Sequence, residues 1–203
     1  AGQIIAVEVD RALAARLTGD LADLPNVHVV QADALSYPLD TLPKGTMVVA
    51  NLPYNVATPI LFRLLELRSQ IARIIVMIQK EVAQRLIARP GTKAYGPLSV
   101  AVGMAADGRI LFTVSPHCFR PRPKVESAVV EIRPLAAPRR PVKHLPTFFA
   151  VVRAGFGRRR KTVANALASL NLAKKEIAQA LLRGAPHFAR ALVALRKEQR
   201  LTH

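Results

Sequence analysis

The segment "MVVANLPYNVATPIL", Met47–Leu61, joins two apolar runs through Asn51-Leu52-Pro53-Tyr54, a turn with no charge. An amide, a proline and a ring suit one chemistry, the handling of a planar exocyclic amine such as that of adenine. The amine lone pair is spread into the ring. Two acceptors gripping its N–H bonds would orient it and favour a more tetrahedral nitrogen. The Asn51 side-chain oxygen and a backbone carbonyl near Leu52 can supply them. Pro53 restricts its neighbour and stiffens the turn, and Tyr54 offers a face on which a flipped base can stack. A carboxamide accepts hydrogen bonds without being a base. That is sufficient for methyl transfer, an in-line displacement governed by placement and electrostatics. The competing reading is a plain strand-to-helix turn, for which Asn and Pro are ordinary residues.

Two acids stand at comparable places. Ligands of open parallel sheets sit beyond the carboxyl ends of the strands. Glu8, Asp33 and Asn51 each end an apolar run and are expected in register along one sheet edge. A carboxylate has two acceptor oxygens, so Glu8 suits a pair of ribose hydroxyls and Asp33 an adenine amine. Singly, each acid could equally be a helix cap or a solvated turn. An acid in the Glu8 role follows a glycine-rich loop by about 20 residues, which puts that loop upstream of Ala1.

These groups need a sheet to hold them. Short apolar strands alternate with amphipathic helices, the pattern of an α/β fold. Strands are expected at Ile4–Val9, Val27–Ala32, Thr46–Asn51, Arg73–Gln79, Arg109–Val114 and Ser127–Leu135. Asp10 should cap the first helix, "RALAARL". Thr58-Pro59 reads as a cap followed by proline at the first helical position of "PILFRLLEL". The helix "KEVAQRLIA" should stop at Arg89-Pro90-Gly91, and "YGPLSVAVGMAA" should hold another. A linker is expected near "AAPRRPVKHLP", with helices beyond it.

Charge divides the chain unevenly. The 203 residues carry a net charge of +17. Residues 1–137 contribute 15 Lys+Arg against 11 Asp+Glu, a net of +4. Residues 138–203 contribute 15 against only Glu176 and Glu198, a net of +13. So few acids among so many cations point to a polyanionic partner, nucleic acid or an acidic membrane face. No apolar run approaches the roughly 20 residues of a spanning helix, and the first residues lack a signal-peptide pattern. A single cysteine, Cys118, precludes an internal disulfide and a cysteine-only metal cage. The histidines are scattered, so no metal is expected, and a reduced, cytoplasmic setting fits.

Several of these segments together resemble the KsgA/RsmA family of ribosomal RNA adenine dimethyltransferases. "VVANLPYNVATPIL" looks like their motif IV, "IIAVEVD" their motif II, "VVQADAL" their motif III and "VSPHCFRPRPKVESAVV" their motif VIII region. "RAGFGRRRKTVANAL", Arg153–Leu167, is similar to the Phe-x-x-Arg-Arg-Lys-Thr helix of their C-terminal domain. The resemblance fades after about Asn171. It implies a Rossmann-like class I methyltransferase domain over residues 1–137, incomplete at its N-terminus, and a small all-α, basic RNA-binding domain over 138–203. It implies S-adenosyl-L-methionine as cofactor. The substrate implied is a pair of adjacent adenosines in the 3′-terminal hairpin of 16S rRNA, in the small ribosomal subunit, with the protein a monomer.

By the same resemblance, Glu8 would hold the cofactor ribose and Val9 would pack on its adenine. Asp33 would contact the adenine amine, with Ala34 giving backbone contact and Asn51 shared by both ligands. Asn51, Leu52, Pro53 and Tyr54 would hold the target base. Phe119 would stack on its other face, in a loop stiffened by Pro121 and Pro123. Arg158, Arg159, Arg160 and Lys161 would contact rRNA phosphates, which position RNA without reading its sequence. Three alternatives remain open at this point: a non-catalytic RNA-binding assembly factor, a macrolide-resistance type dimethylase of 23S rRNA, and a DNA adenine methylase. "NLPYNVATPIL" fits the small-subunit group better than the second, and the Arg-Arg-Lys element argues against the third.

Overall fold

The computed structural model describes residues 2–140 and 145–157, the latter with side chains from 148 to 156. These fall into two compact units that divide after Pro43. The first holds β1 (Ile4–Glu8), α1 (Arg11–Asp20) and β2 (Val27–Gln31). β1 and β2 pair in parallel from Ile4↔Val27 to Glu8↔Gln31. α1 starts where expected, because the Asp10 carboxylate accepts from the Leu13 N–H at 2.8 Å and relieves one orphan donor of the first turn.

The second unit is built on β3 (Thr46–Asn51), α2 (Ala57–Glu66), β4 (Ile71–Gln79), α3 (Lys80–Leu86), α4 (Pro97–Ala105), β5 (Ala106–Val114), β6 (Ser127–Pro134) and α5 (Leu145–Gly157). Its sheet runs β3-β4-β6-β5. β3 and β4 are parallel, and β6 is antiparallel to both β4 and β5. The period-two pattern of β4 sends Ile74, Val76 and Ile78 to one face, each fully buried. They share the core with Val130 and Ile132 of β6 and with Leu61, Leu64 and Leu65 of α2. Gly108 in β5 has a packing reason: a β-carbon there would lie 2.9 Å from Leu86 Cδ2 and 3.2 Å from Val102 Cγ1. Only a bare Cα lets α3 and α4 approach the strand so closely.

Four local expectations need correction. The six strands do not form one ladder: β1-β2 and β3-β4-β6-β5 are separate hydrogen-bonded sheets. Glu8 ends β1 and Asp33 lies just past β2, in the first unit, whereas Asn51 ends β3 in the second. Secondly, α2 begins at Ala57, with Val56 rather than Thr58 at its cap. The Val56 and Ala57 N–H groups both donate to the Pro53 carbonyl, at 3.1 and 3.0 Å. The turn itself nucleates the helix, and Thr58 and Pro59 lie inside its first turn, where proline forfeits no hydrogen bond.

The third correction concerns the linker, whose first residues are held. Arg68 donates from Nη1 to the Leu135 and Ala136 carbonyls at 3.0 and 2.8 Å. Leu135 and Arg139 donate to the Ala105 and Met104 carbonyls, and Arg139 pairs with Asp107. Fourthly, α5 packs into the α/β core. Phe149 and Val152 are fully buried, and Phe149 meets Phe62 of α2 edge to face, ring centroids 5.8 Å apart. Arg153 lies 5.0 Å over the Phe62 ring and 3.4 Å from Glu66. The aromatic content of α5 explains this: such rings gain more from an interior than from a basic, solvated domain. The remaining helices expected in 158–203, with Arg158, Arg159, Arg160 and Lys161, lie outside the described residues.

A buried charge lies in this unit. Glu131 of β6 is 4% exposed. Its carboxylate meets Arg109 Nε at 2.6 Å, Arg133 Nη2 at 2.9 Å and Arg73 Nε at 3.2 Å. The Arg109 hydrogen bond, supported by Arg133, outweighs burial and holds the Glu131 carboxyl below its usual range. A depressed carboxylate pKa stabilises the fold above the unfolded value, about 4.3, and that contribution disappears as pH falls through the lower folded value. Equilibrium unfolding of Glu131→Gln should show a flatter loss of stability between pH 5 and the acid limit than the wild type; parallel curves would count against the assignment. Phe149→Ala should cost about 3–5 kcal/mol in urea unfolding, as for a large core aromatic, and a loss below 1 kcal/mol would show that α5 adds nothing to the core.

A candidate base-holding turn and a nucleoside end

The turn after β3 is set by its backbone. The Leu52 N–H donates to the Met77 carbonyl at 3.1 Å, continuing the β3-β4 ladder by one bond. At Pro53 the chain turns out of the ladder, with the Pro53 carbonyl accepting from the Val56 and Ala57 N–H groups. Leu52 is buried at 5% exposure and anchors the turn, whereas Asn51 and Pro53 are exposed. The Pro53 carbonyl is already occupied by Val56 and Ala57. Among the described residues no backbone N–H reaches the Leu52 carbonyl. Asn51 and the Leu52 carbonyl, from which the sequence expects two acceptors, stand at this strand end.

Tyr54 is held differently. The residue is 37% exposed, but its hydroxyl shares a 2.9 Å hydrogen bond with Oγ of Ser127, a residue with no exposure. Ser127 opens β6, and sequence reasoning missed it. The signal was slight: a serine before an apolar strand is ordinary, and its partner lies 73 residues away in the chain. Phe119 is half-buried. It follows the helical turn Pro116–Cys118, whose cap is Ser115, and precedes a cis Arg120-Pro121 bond. Its loop leaves β5 at Val114 and enters β6 at Ser127, and those two residues are a register pair. Glu126 is fixed to the start of α3: the Lys80 N–H donates to its carbonyl at 2.9 Å, and Lys80 Nζ meets its carboxylate at 2.7 Å.

The first unit carries the two acids on neighbouring strands. Glu8 is the last residue of β1, and the Ala32 N–H donates to its carbonyl at 3.0 Å, so Asp33 follows directly on the adjacent strand. One oxygen of each carboxylate is engaged locally, Glu8 Oε1 with Asp10 N–H at 2.9 Å and Asp33 Oδ1 with Leu35 N–H at 2.8 Å. These bonds orient the carboxylates and leave their second oxygens for a ligand. Val9, beside Glu8, is 63% exposed, an apolar side chain at a strand end. Ala34 is half-buried. The donor set is what a nucleoside needs: acceptors for hydroxyls and an amine, with apolar surface for a base.

The family model for ribosomal RNA adenine dimethylase matches residues 1–189. A protein of Moorella thermoacetica named ribosomal RNA small subunit methyltransferase A is 43% identical over 192 residues, covering 89% of this chain and 67% of that protein. One of the same name from Geobacter sulfurreducens is 46% identical over 172 residues, covering 82% and 62%. The chain thus spans about two thirds of the length of the curated relatives it matches. Among solved structures, a dimethyladenosine transferase from Plasmodium falciparum aligns with TM-score 0.66 at 21% identity, over 98% of this chain and 79% of that one. The 23S rRNA methyltransferase ErmE aligns with TM-score 0.61 at 24% identity, over 98% and 79%. These two show the fold, a Rossmann-like α/β methyltransferase fold. By the family model and the extent of its similarity to the curated relatives, this chain belongs to the ribosomal RNA adenine dimethylase family.

Proposed function

We propose that the protein transfers methyl groups from S-adenosyl-L-methionine to the exocyclic amines of two adjacent adenosines in the 3′-terminal hairpin of 16S rRNA, during small-subunit biogenesis in the cytoplasm. The observation that carries this reading is the strand-end turn, with two acceptors beside a tyrosine ring anchored at its far end. The curated relatives' names point to the small subunit rather than the large. The cofactor's nucleoside falls to Glu8, Val9, Asp33 and Ala34. We further propose that residues 138–203 contribute a basic RNA-binding surface, with Arg158, Arg159, Arg160 and Lys161 on phosphates.

The cofactor, when bound, supplies a methyl group on a sulfonium, which departs as a neutral thioether. The chain's part is placement. The flipped adenine lies against Tyr54, with Phe119 facing its other side. The Asn51 amide oxygen and the Leu52 carbonyl each accept one amine N–H, which turns the nitrogen lone pair towards the methyl carbon. With the cofactor held there, the new N–C bond would form as the sulfonium's S–C bond breaks. Neither acceptor is a base, so the proton leaves to solvent after transfer, when the alkylated nitrogen is strongly acidic. The same two acceptors can hold the monomethylated amine only by its remaining N–H, so one acceptor is idle in the second transfer.

Methyl incorporation by the full-length protein into under-methylated small subunits tests the reading directly. Asn51→Ala should lower the single-turnover rate roughly a hundredfold or more, as for loss of a positioned transition-state partner, with little change in RNA affinity. An unaltered rate would remove Asn51 from the chemistry. RNA binding without methyl incorporation by the wild type would favour a non-catalytic assembly factor. Affinity for the rRNA hairpin should fall steeply with salt. Replacing Arg158, Arg159, Arg160 and Lys161 by alanine should reduce the slope of log K against log salt by roughly 0.7–0.9 for each phosphate no longer neutralised; an unchanged slope would put the phosphate-binding cations elsewhere.

A further inference from the structure

Tyr54 and the Phe119 loop come from distant parts of the sequence, yet one buried side chain lies at the foot of both. We infer that Ser127 is a positioning residue for the target base, setting the Tyr54 ring and closing the loop that carries Phe119. The inference rests on the methyl-transfer reading above and assigns to it a residue outside the base-holding turn.

The geometry runs across the sheet. Asn51 pairs with Met77 of β4, and Met77 pairs with Val129 of β6. Ser127 pairs with Gln79, two residues further along the same direction. It therefore sits at the sheet end where β3 stops, one strand beyond β4. Tyr54 reaches over the end of β4 to meet it at 2.9 Å. A tyrosine held at both Cα and Oη keeps its long axis fixed and retains only rotation about that axis. Its ring stays in place while the residue remains 37% exposed. An unanchored tyrosine at such a turn would sample several rotamers, and each misplaced one costs stacking and alignment of the amine.

Ser127 is also the residue at which the Phe119 loop closes. Val114, where the loop leaves β5, is its register partner. Its chain neighbour Glu126 is tied to Lys80 by a backbone bond of 2.9 Å and an ion pair of 2.7 Å. Full burial removes the hydroxyl from competition with water, so the bond to Tyr54 is the group's means of satisfaction. A buried hydroxyl required only for packing would be served as well by alanine or cysteine. The specific need here is an oxygen at the phenol.

The test uses the full-length protein with under-methylated small subunits, in single-turnover and steady-state methyl transfer. The variants are Ser127→Ala, Tyr54→Phe and the double variant. Each single variant should lose roughly three- to tenfold in kcat, the worth of one net hydrogen bond. KM for the subunit should stay unchanged, since phosphate contacts carry affinity. The double variant should be no slower than either single one, because both remove the same bond. Wild-type rates in Ser127→Ala, multiplicative losses in the double variant, or a loss confined to KM or thermal stability would each overturn the inference. A wild type that transfers no methyl group would instead overturn the function itself and the role of Ser127 with it.

Discussion

The ladder between β3 and β4 ends where the Leu52 N–H reaches the Met77 carbonyl, because the chain then turns at Pro53, whose carbonyl accepts from the Val56 and Ala57 N–H groups that start α2. The rest of the candidate site depends on this termination. It leaves Asn51 as the last paired residue of β3, on the rim rather than in the sheet. It drops Leu52 into the core and turns the chain so that the Pro53 carbonyl starts α2.

The second dependence is on β4. It is paired on both edges, by β3 and by β6, and its row of Ile74, Val76 and Ile78 is fully buried. It fixes the relative height of Asn51 on one side and Ser127 on the other. The bridge between Tyr54 and Ser127 crosses its end and needs that height to be constant. The rigid middle of the sheet thus supports the geometry of a neutral, solvent-facing turn.

Local signals were legible where local physics decides. The Asp10 cap, the apolar strands β4 and β6 and the turn at Asn51–Tyr54 could all be read from types and spacing, since each depends on residues within a few positions. Thr58-Pro59 misled because two signals competed: a good cap pair stood inside a turn that already had a helix-starting carbonyl at Pro53. The placement of α5, the anchoring of the linker by Arg68 and the Tyr54–Ser127 bond were not legible. Each joins residues 67 or more positions apart, and no periodicity encodes such a meeting. The three strand ends were identified individually, whereas which strands are hydrogen-bonded to one another is not specified by side-chain pattern.

The charges fall into two classes that the net value conceals. In the described residues many arginines and lysines have acidic partners: Arg109, Arg133 and Arg73 on Glu131, Lys80 on Glu126, Arg85 on Glu81, Arg139 on Asp107 and Arg153 on Glu66. Past residue 157 only two acids accompany the cations, so most of those cations must find anions outside this segment or remain solvated. The excess of positive charge is then concentrated at one end of the sequence, while the turn that would handle the base carries no charge. That separation has a chemical logic. Phosphate contacts are strong, long-ranged and indifferent to angle, and they suit capture. Methyl transfer asks for an angle, and uncharged acceptors on a stiff backbone supply it without adding a field that would compete with the placement of a cationic donor.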